Sequence, residues 1–211
     1  MSARKVRVGV FGVGSLGQHH ARIYSEMEGA ELVGVHDVNP ARAQEIAERC
    51  RTRAFADLEA LAAAVDAASV AVPTDLHHAV AMQLIRHGVH LLVEKPIAAT
   101  TAEAEEMVAA AQQKDRVLQV GHVERFNPVM KFLEEHLSAP RFIEVIRLAP
   151  YPPPRETAAP RGTEVSVVLD LMIHDLDILL HLVRSRIKEV HAIGVPVLSS
   201  TEDIANARLI F

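Results

Sequence analysis

The chain has one cysteine, Cys50, and no tryptophan among its 211 residues. A single thiol excludes an internal disulfide framework and fits a reducing compartment. Cys50 stands near the end of a helix-like stretch, where half-burial is expected rather than reactivity. Nothing in the sequence accounts for the missing tryptophan. Basic runs longer than two or three residues are also missing, and the formal net charge is −5. Nucleic acid is therefore not an expected partner. Met1-Ser2-Ala3-Arg4-Lys5 leads straight into an apolar run, with no signal-peptide h-region, and no apolar stretch reaches membrane-spanning length. The expectation is a cytoplasmic protein without membrane contact. What the chain has in quantity is apolar side chains, 49% of residues. That suffices for a proper core in one large domain or two small ones.

Gly12-Val13-Gly14-Ser15-Leu16-Gly17 directly follows the apolar run Val6–Phe11 and opens a helix-like segment, Ser15–Met27. Asp37 lies twenty residues after Gly17, at the end of a second apolar run. Strand, glycine turn, helix, strand and acid form the dinucleotide fingerprint. Gly12 permits a tight turn, Gly14 lets a pyrophosphate approach the backbone, and Gly17 lets the helix pack closely on the sheet. The first helical turn, with Ser15 and Leu16, offers N–H groups and a positive dipole end to phosphates. The Asp37 carboxylate can accept from a ribose hydroxyl pair and would repel a 2′-phosphate. NAD is expected over NADP.

Strand signals at Val6–Phe11, Leu32–Asp37, Ala68–Ala71, His90–Glu94 and Val117–Val120 alternate with helix signals. The helices are expected at Ser15–Met27, Pro40–Arg49, Asp57–Ala64, Asp75–Arg86 and Thr101–Gln113. This order predicts an α/β fold with a doubly wound parallel sheet over residues 1–121. After Gly121 the pattern changes. A short helix runs from Asn127-Pro128 towards His136, a strand is predicted at Arg141–Leu148, and a proline-rich loop runs from Ala149 to Gly162. An apolar helix, Val165–Val183, and strands at Glu189–Val197 and Ile204–Phe211 follow. Residues 122–211 thus read as a second, α+β domain. The chain stops inside an apolar strand with no turn after it, and three strands make a thin domain with an exposed edge. A truncated second domain is expected.

Chemistry-bearing residues gather at strand ends, where open α/β sheets bind ligands. Pro73, Thr74 and His77 follow the strand Ala68–Ala71. Thr74 can also be a helix N-cap, and His77 with His78 can equally form a solvated helix face. Glu94-Lys95-Pro96 ends the strand His90–Glu94, and Lys95 there would face a cleft; elsewhere it would read as a surface charge. In the helix Val165–Val183, the steps between Asp170, His174, Asp177 and His181 set them on one stripe. A carboxylate one turn before a histidine can orient the imidazole. On pattern alone, the stripe is either a catalytic lining or a satisfied internal network. Zinc ligation ranks below both, because the stripe has no cysteine beside it and an H-E-x-x-H pattern is missing.

Together, the glycine motif with Asp37, Val72-Pro73-Thr74-Asp75-Leu76-His77, Glu94-Lys95-Pro96 and Asp170-Leu171-Met172-Ile173-His174 resemble the glucose–fructose oxidoreductase/inositol dehydrogenase (Gfo/Idh/MocA) family. The resemblance implies a Rossmann domain and a second domain on an open, mostly antiparallel sheet that mediates homodimers or homotetramers. It implies that Lys95, Asp170 and His174 form a catalytic trio. His174 would be the acid/base, and Lys95 would bind the reacting oxygen. Met172 departs from the pattern, since many members carry glycine there. Gly121 to Pro128 resembles the nucleotide-sugar branch, including UDP-N-acetylglucosamine 3-dehydrogenases, where Arg125 would suit an anionic substrate; an ordinary hinge is the other reading. The implied activity is NAD-dependent oxidation of a secondary hydroxyl on a sugar or a UDP-N-acetylhexosamine-like nucleotide sugar. A polyol or inositol dehydrogenase is the runner-up. A non-catalytic NAD-binding sensor is the rival of another class, and intact Lys95 and His174 argue against it.

Overall fold

A computed structural model describes residues 4–150 and 166–211. The chain divides into two compact units, Met1–Gly121 and His122–Phe211. In the first, strands β1 (Val6–Phe11), β2 (Ala30–His36), β3 (Arg53–Ala54), β4 (Ala67–Val70), β5 (His90–Val93) and β6 (Leu118–Val120) form one sheet. Its order is β3-β2-β1-β4-β5-β6 and every pairing is parallel. The strand order reverses at the β1/β4 junction, the place where such sheets open a ligand crevice.

Helices α1 (Gly17–Glu26), α2 (Pro40–Arg49), α3 (Leu58–Ala62), α4 (Thr74–Arg86) and α5 (Thr101–Gln113) connect the strands. Alternation along β1 assigns the two faces. Val10 packs with Val35, Ala21 and Ile46, which brings α1 and α2 to one face. Phe11 packs with Leu61, Leu84, Val93 and Met107, which brings α3, α4 and α5 to the other. Each fully buried Leu, Ile, Phe or Met contributes roughly 1.5–3 kcal/mol. Local chemistry sets the helix starts: Asn39 caps α2 ahead of Pro40, and Thr100 with Glu103 closes a capping box on α5.

The second unit holds a 3-10 turn (Val123–Phe126), helix α6 (Pro128–His136), a π-helical turn (Val168–Met172), helix α7 (Ile173–Val183) and the antiparallel pair β7 (Glu189–Val195) and β8 (Ile204–Ile210). The hairpin connection is tied by Asp203, whose Oδ2 accepts from the N–H groups of Val197, Leu198 and Ser199 at 2.7, 2.6 and 2.9 Å. Those three donors hold its carboxyl far below the usual range.

Three expectations need correction. β3 was not expected; two residues are too short for a periodicity signal. Arg141–Leu148 is irregular, because it forms no ladder with a described strand; with β8 it lines a hollow of about 1130 Å³. The helix expected as continuous from Val165 begins among the described residues at Val167 with a π-helical turn. The proline-rich loop lies, beyond Ala149 and Pro150, outside the described residues.

Candidate active site

The three motif glycines have three different reasons. Gly12 has φ +81°, and a Cβ there would lie 2.8 Å from the main chain of Ala71 and Val72. A Cβ at Gly17 would run into the carbonyl oxygen of Gly12. At Gly14 nothing lies within 4 Å of the Cβ position, and the residue is exposed. The protein itself fills the first two positions and leaves the third open. No side chain caps α1 at Leu16; Gln18 and His19 N–H bond back to Gly14 O and Leu16 O, so the N–H groups just ahead of them are the ones suited to an anion.

Asp37 sits against this loop. Its Oδ2 accepts from Val13 N–H at 2.8 Å and its Oδ1 from Asn39 N–H at 2.9 Å. Arg42 Nε donates to Val13 O at 2.9 Å. The peptides on both sides of Val13 are thereby held, and each Asp37 oxygen keeps acceptor capacity for a hydroxyl. The residues fit a dinucleotide: an open backbone at Gly14, an uncapped helix start, and a fixed carboxylate beside them.

At the end of β4, Pro73 takes the cap position of α4 and Thr74 is its first helical residue, without a side-chain cap. The N-cap role expected for Thr74 thus moves one residue back, where extended Pro73 suits it. His77 is 1% exposed. Its Nδ1 lies 2.8 Å from Pro96 O and its Nε2 2.9 Å from Val72 O. Its ring ties the loops after β4 and β5 together. His78 pairs with Glu106 on an exposed helix face.

Glu94 and Lys95 follow β5, and the Lys95-Pro96 peptide is cis. Glu94 Oε1 lies 2.8 Å from His20 Nε2, and Lys95 N–H points at Oε2 at 3.3 Å. Burial pushes the Glu94 carboxyl up, but the bond and charge of His20, with the N–H and charge of Lys95, hold it below its ordinary value. Behind His20, Ser69 Oγ is 3.0 Å from Nδ1, and Tyr24 Oη is 2.8 Å from Ser69 Oγ. His20, Ser69 and Tyr24 stand outside the sequence motifs. Two signals were available: a lone serine in an apolar strand, and two ring side chains four residues apart on the helix that packs above it.

In the second unit, Asp170 lies in the π-helical turn and His174 in the first turn of α7. A π turn bonds i to i+5, and Asp170 lies in it four residues ahead of His174. Asp177 and His181 of the stripe, and Asp175 off it, are ion-paired. Asp177, 9% exposed, takes a fork from Arg125 at 2.8 and 2.6 Å. Asp175, 8% exposed, takes one from Arg147 at 3.0 and 2.8 Å. His181 pairs with Glu134. Burial pushes Asp177 up, and Arg125, with His122 and His181 nearby, brings it below the ordinary carboxylate value. Among the described residues, no group of three or more His, Cys, Asp or Glu could hold a metal ion. Nor is any described helix long and apolar enough to cross a membrane. Cys50 follows α2 half-buried, and burial raises its thiol.

The family described as "Oxidoreductase family, NAD-binding Rossmann fold" matches residues 6–122. The chain belongs to this Gfo/Idh/MocA family. It is 41% identical over 203 residues to the UDP-N-acetylglucosamine 3-dehydrogenase of Acidithiobacillus ferrooxidans, covering 96% of this chain and 62% of that protein. It is 32% identical over 197 residues to an inositol 2-dehydrogenase of Acidothermus cellulolyticus, covering 90% and 57%. The solved structure of the A. ferrooxidans enzyme GnnA superposes with a TM-score of 0.88 at 40% identity, over 98% of this chain and 66% of that one. The chain therefore spans less than two thirds of the length of these relatives.

Proposed function

We propose that the protein is an NAD-dependent dehydrogenase that oxidises a secondary hydroxyl of a sugar or nucleotide sugar, with a UDP-N-acetylhexosamine as first candidate. The observation that carries the reading is the glycine loop, whose one open Cβ position, Gly14, stands in the same loop that Asp37 holds through Val13. The substrate class is supported by the identity to the A. ferrooxidans enzyme. Bound NAD would supply the hydride acceptor. Lys95 Nζ donates to the reacting oxygen and stabilises the charge that grows there. An imidazole nitrogen of His174 takes the hydroxyl proton, and Asp170 orients that ring and offsets its charge. Pro73 and Thr74 contact the cofactor at the end of β4. Arg125 spends its fork on Asp177, and its outer N–H groups, with the side chain 43% exposed, are left for a substrate diphosphate.

The test is reduction of NAD, followed by absorbance, against UDP-N-acetylglucosamine, UDP-N-acetylgalactosamine, myo-inositol and free glucose. Turnover with a UDP-sugar and little with the others is expected. Preference for the inositol moves the substrate to the class of the second relative. NADH binding without turnover on any of them overturns the enzyme reading and leaves a dinucleotide sensor.

A further inference from the structure

Ser69 is 0% exposed and is the one polar residue of β4. A buried hydroxyl is retained at little cost only when it is bonded. Its two partners, His20 and Tyr24, stand one helical turn apart on α1, so both reach the same oxygen. The direction is set at the carboxylate end: an ionised Glu94 can only accept, so His20 Nε2 donates to it. Beyond the ring the bonds run either way with its charge: a neutral imidazole accepts Ser69 Oγ–H at Nδ1 while Ser69 accepts from Tyr24 Oη–H, and an imidazolium reverses both bonds. Every member uses its group once, and the chain ends on a carboxylate.

That carboxylate is fixed at both oxygens, by His20 and by the backbone of Lys95. Its side chain is 14% exposed. A Cβ at Gly121 would lie 3.2 Å from it, so it stands at the joint ends of β5 and β6. Asp37 follows β2 and Glu94 follows β5, on opposite sides of the junction where the strand order reverses. Folds of this class give one mononucleotide to each half of the sheet. Asp37 faces the adenosine half, and Glu94 is its counterpart.

We propose that His20, backed by Ser69 and Tyr24, is a positioning residue that holds the Glu94 carboxylate as a hydroxyl acceptor for the nicotinamide half of the dinucleotide. The proposal rests on the cofactor reading above. Its test separates the two halves by using two ligands. NADH is titrated by its fluorescence, and ADP, which engages only the adenosine half, by calorimetry. His20→Leu removes the donor and should weaken NADH at least tenfold while ADP changes less than twofold. His20→Gln keeps an N–H close to the Nε2 position and should restore NADH binding to within threefold of wild type. Ser69→Ala, a milder lesion, should fold normally and weaken NADH about threefold with ADP unchanged. Unchanged NADH binding in both His20→Leu and Ser69→Ala overturns the proposal. So does an equal loss for NADH and ADP, which marks a collapsed loop, and so does a folded His20→Gln no better than His20→Leu. Wild-type protein that binds neither ligand overturns the dinucleotide reading and this proposal with it.

Discussion

Adding one methyl at each motif glycine should have opposite consequences. At Gly14 the methyl meets nothing within 4 Å and the backbone is not left-handed. Gly14→Ala should leave the fold unharmed, or stabilise it by about 0.4–1 kcal/mol through a less flexible unfolded chain. The same methyl occupies the space assigned to the pyrophosphate. Displacing a phosphate from a backbone N–H loses a charge-assisted bond of roughly 1.5–3 kcal/mol, a tenfold to hundredfold weaker NADH complex. At Gly12 the φ of +81° alone costs roughly 1–2 kcal/mol for an alanine. The main chain of Ala71 and Val72, 2.8 Å away, has no flexible end to move. Gly12→Ala should therefore lose about 3 kcal/mol or more, against a total stability of roughly 5–15 kcal/mol. Urea denaturation and NADH fluorescence titration on both variants measure the two effects. A Gly14→Ala protein that is stable and binds NADH as wild type does would refute the assignment of the open face to the cofactor.

Four other outcomes are expected. His174→Ala and Lys95→Ala should each lower kcat by roughly 10²–10⁴-fold with NADH binding kept, and the double variant should lose less than the product; steady-state rates with thermal melts check this, and a purely structural role would lower the melting temperature instead. Asp37 should make NADPH bind at least tenfold more weakly than NADH, and fluorescence titration with equal affinities would sink that assignment. The Arg7 fork holds the Asp66 carboxyl down to about 2, so its stabilisation is present above the unfolded value of about 4 and fades as pH falls through about 2; with Asp66 35% and Arg7 40% exposed, screening leaves about 1 kcal/mol, read as a melting temperature that falls less steeply across that window in Asp66→Asn. Light scattering should find a homo-oligomer, because β7 and one face of β8 are exposed; a stable monomer at micromolar concentration is the contrary result.

The first unit was legible because its signals are local and repeated. β1, α2 and α5 follow periodicity and capping residues within a few positions of their ends, so their expected bounds coincide with the structure. β3 escaped because two residues cannot show a period. In the second unit the strand propensity of Arg141–Leu148 is real but idle, since a strand exists only through a paired ladder. The π-helical turn at Val168–Met172 escaped for a different reason: spacing arguments assume 3.6 residues per turn, and one wider turn resets the phase of everything before it. Of the candidate site, the glycine turn and the place of Asp37 beside it were legible. His77 was legible in place but not in role, because only the folded loops show that both its ring nitrogens face backbone carbonyls.

Arg125 takes its role from a partner distant in sequence. A cation near a domain junction invites an anionic ligand, but its acid lies 52 residues away in sequence. Asp175 and Asp177 are two residues apart on α7, about 200° around the helix, so their carboxylates leave on nearly opposite sides. One meets Arg147 and the other Arg125, each through a two-bond fork. Rotation of α7 that relaxes one fork strains the other, so the two together fix the helix about its own axis. Loss of Arg147 would strip the buried Asp175 carboxylate of its fork, at a cost of roughly 3–5 kcal/mol; without Arg125, Asp177 would keep only the longer contact to His122 at 3.8 Å. The direction in which His174 leaves the first turn of α7 depends on that rotation. Arg125 thus acts on the proposed chemistry first by holding the helix that carries the imidazole, and only its outer edge is left for a substrate.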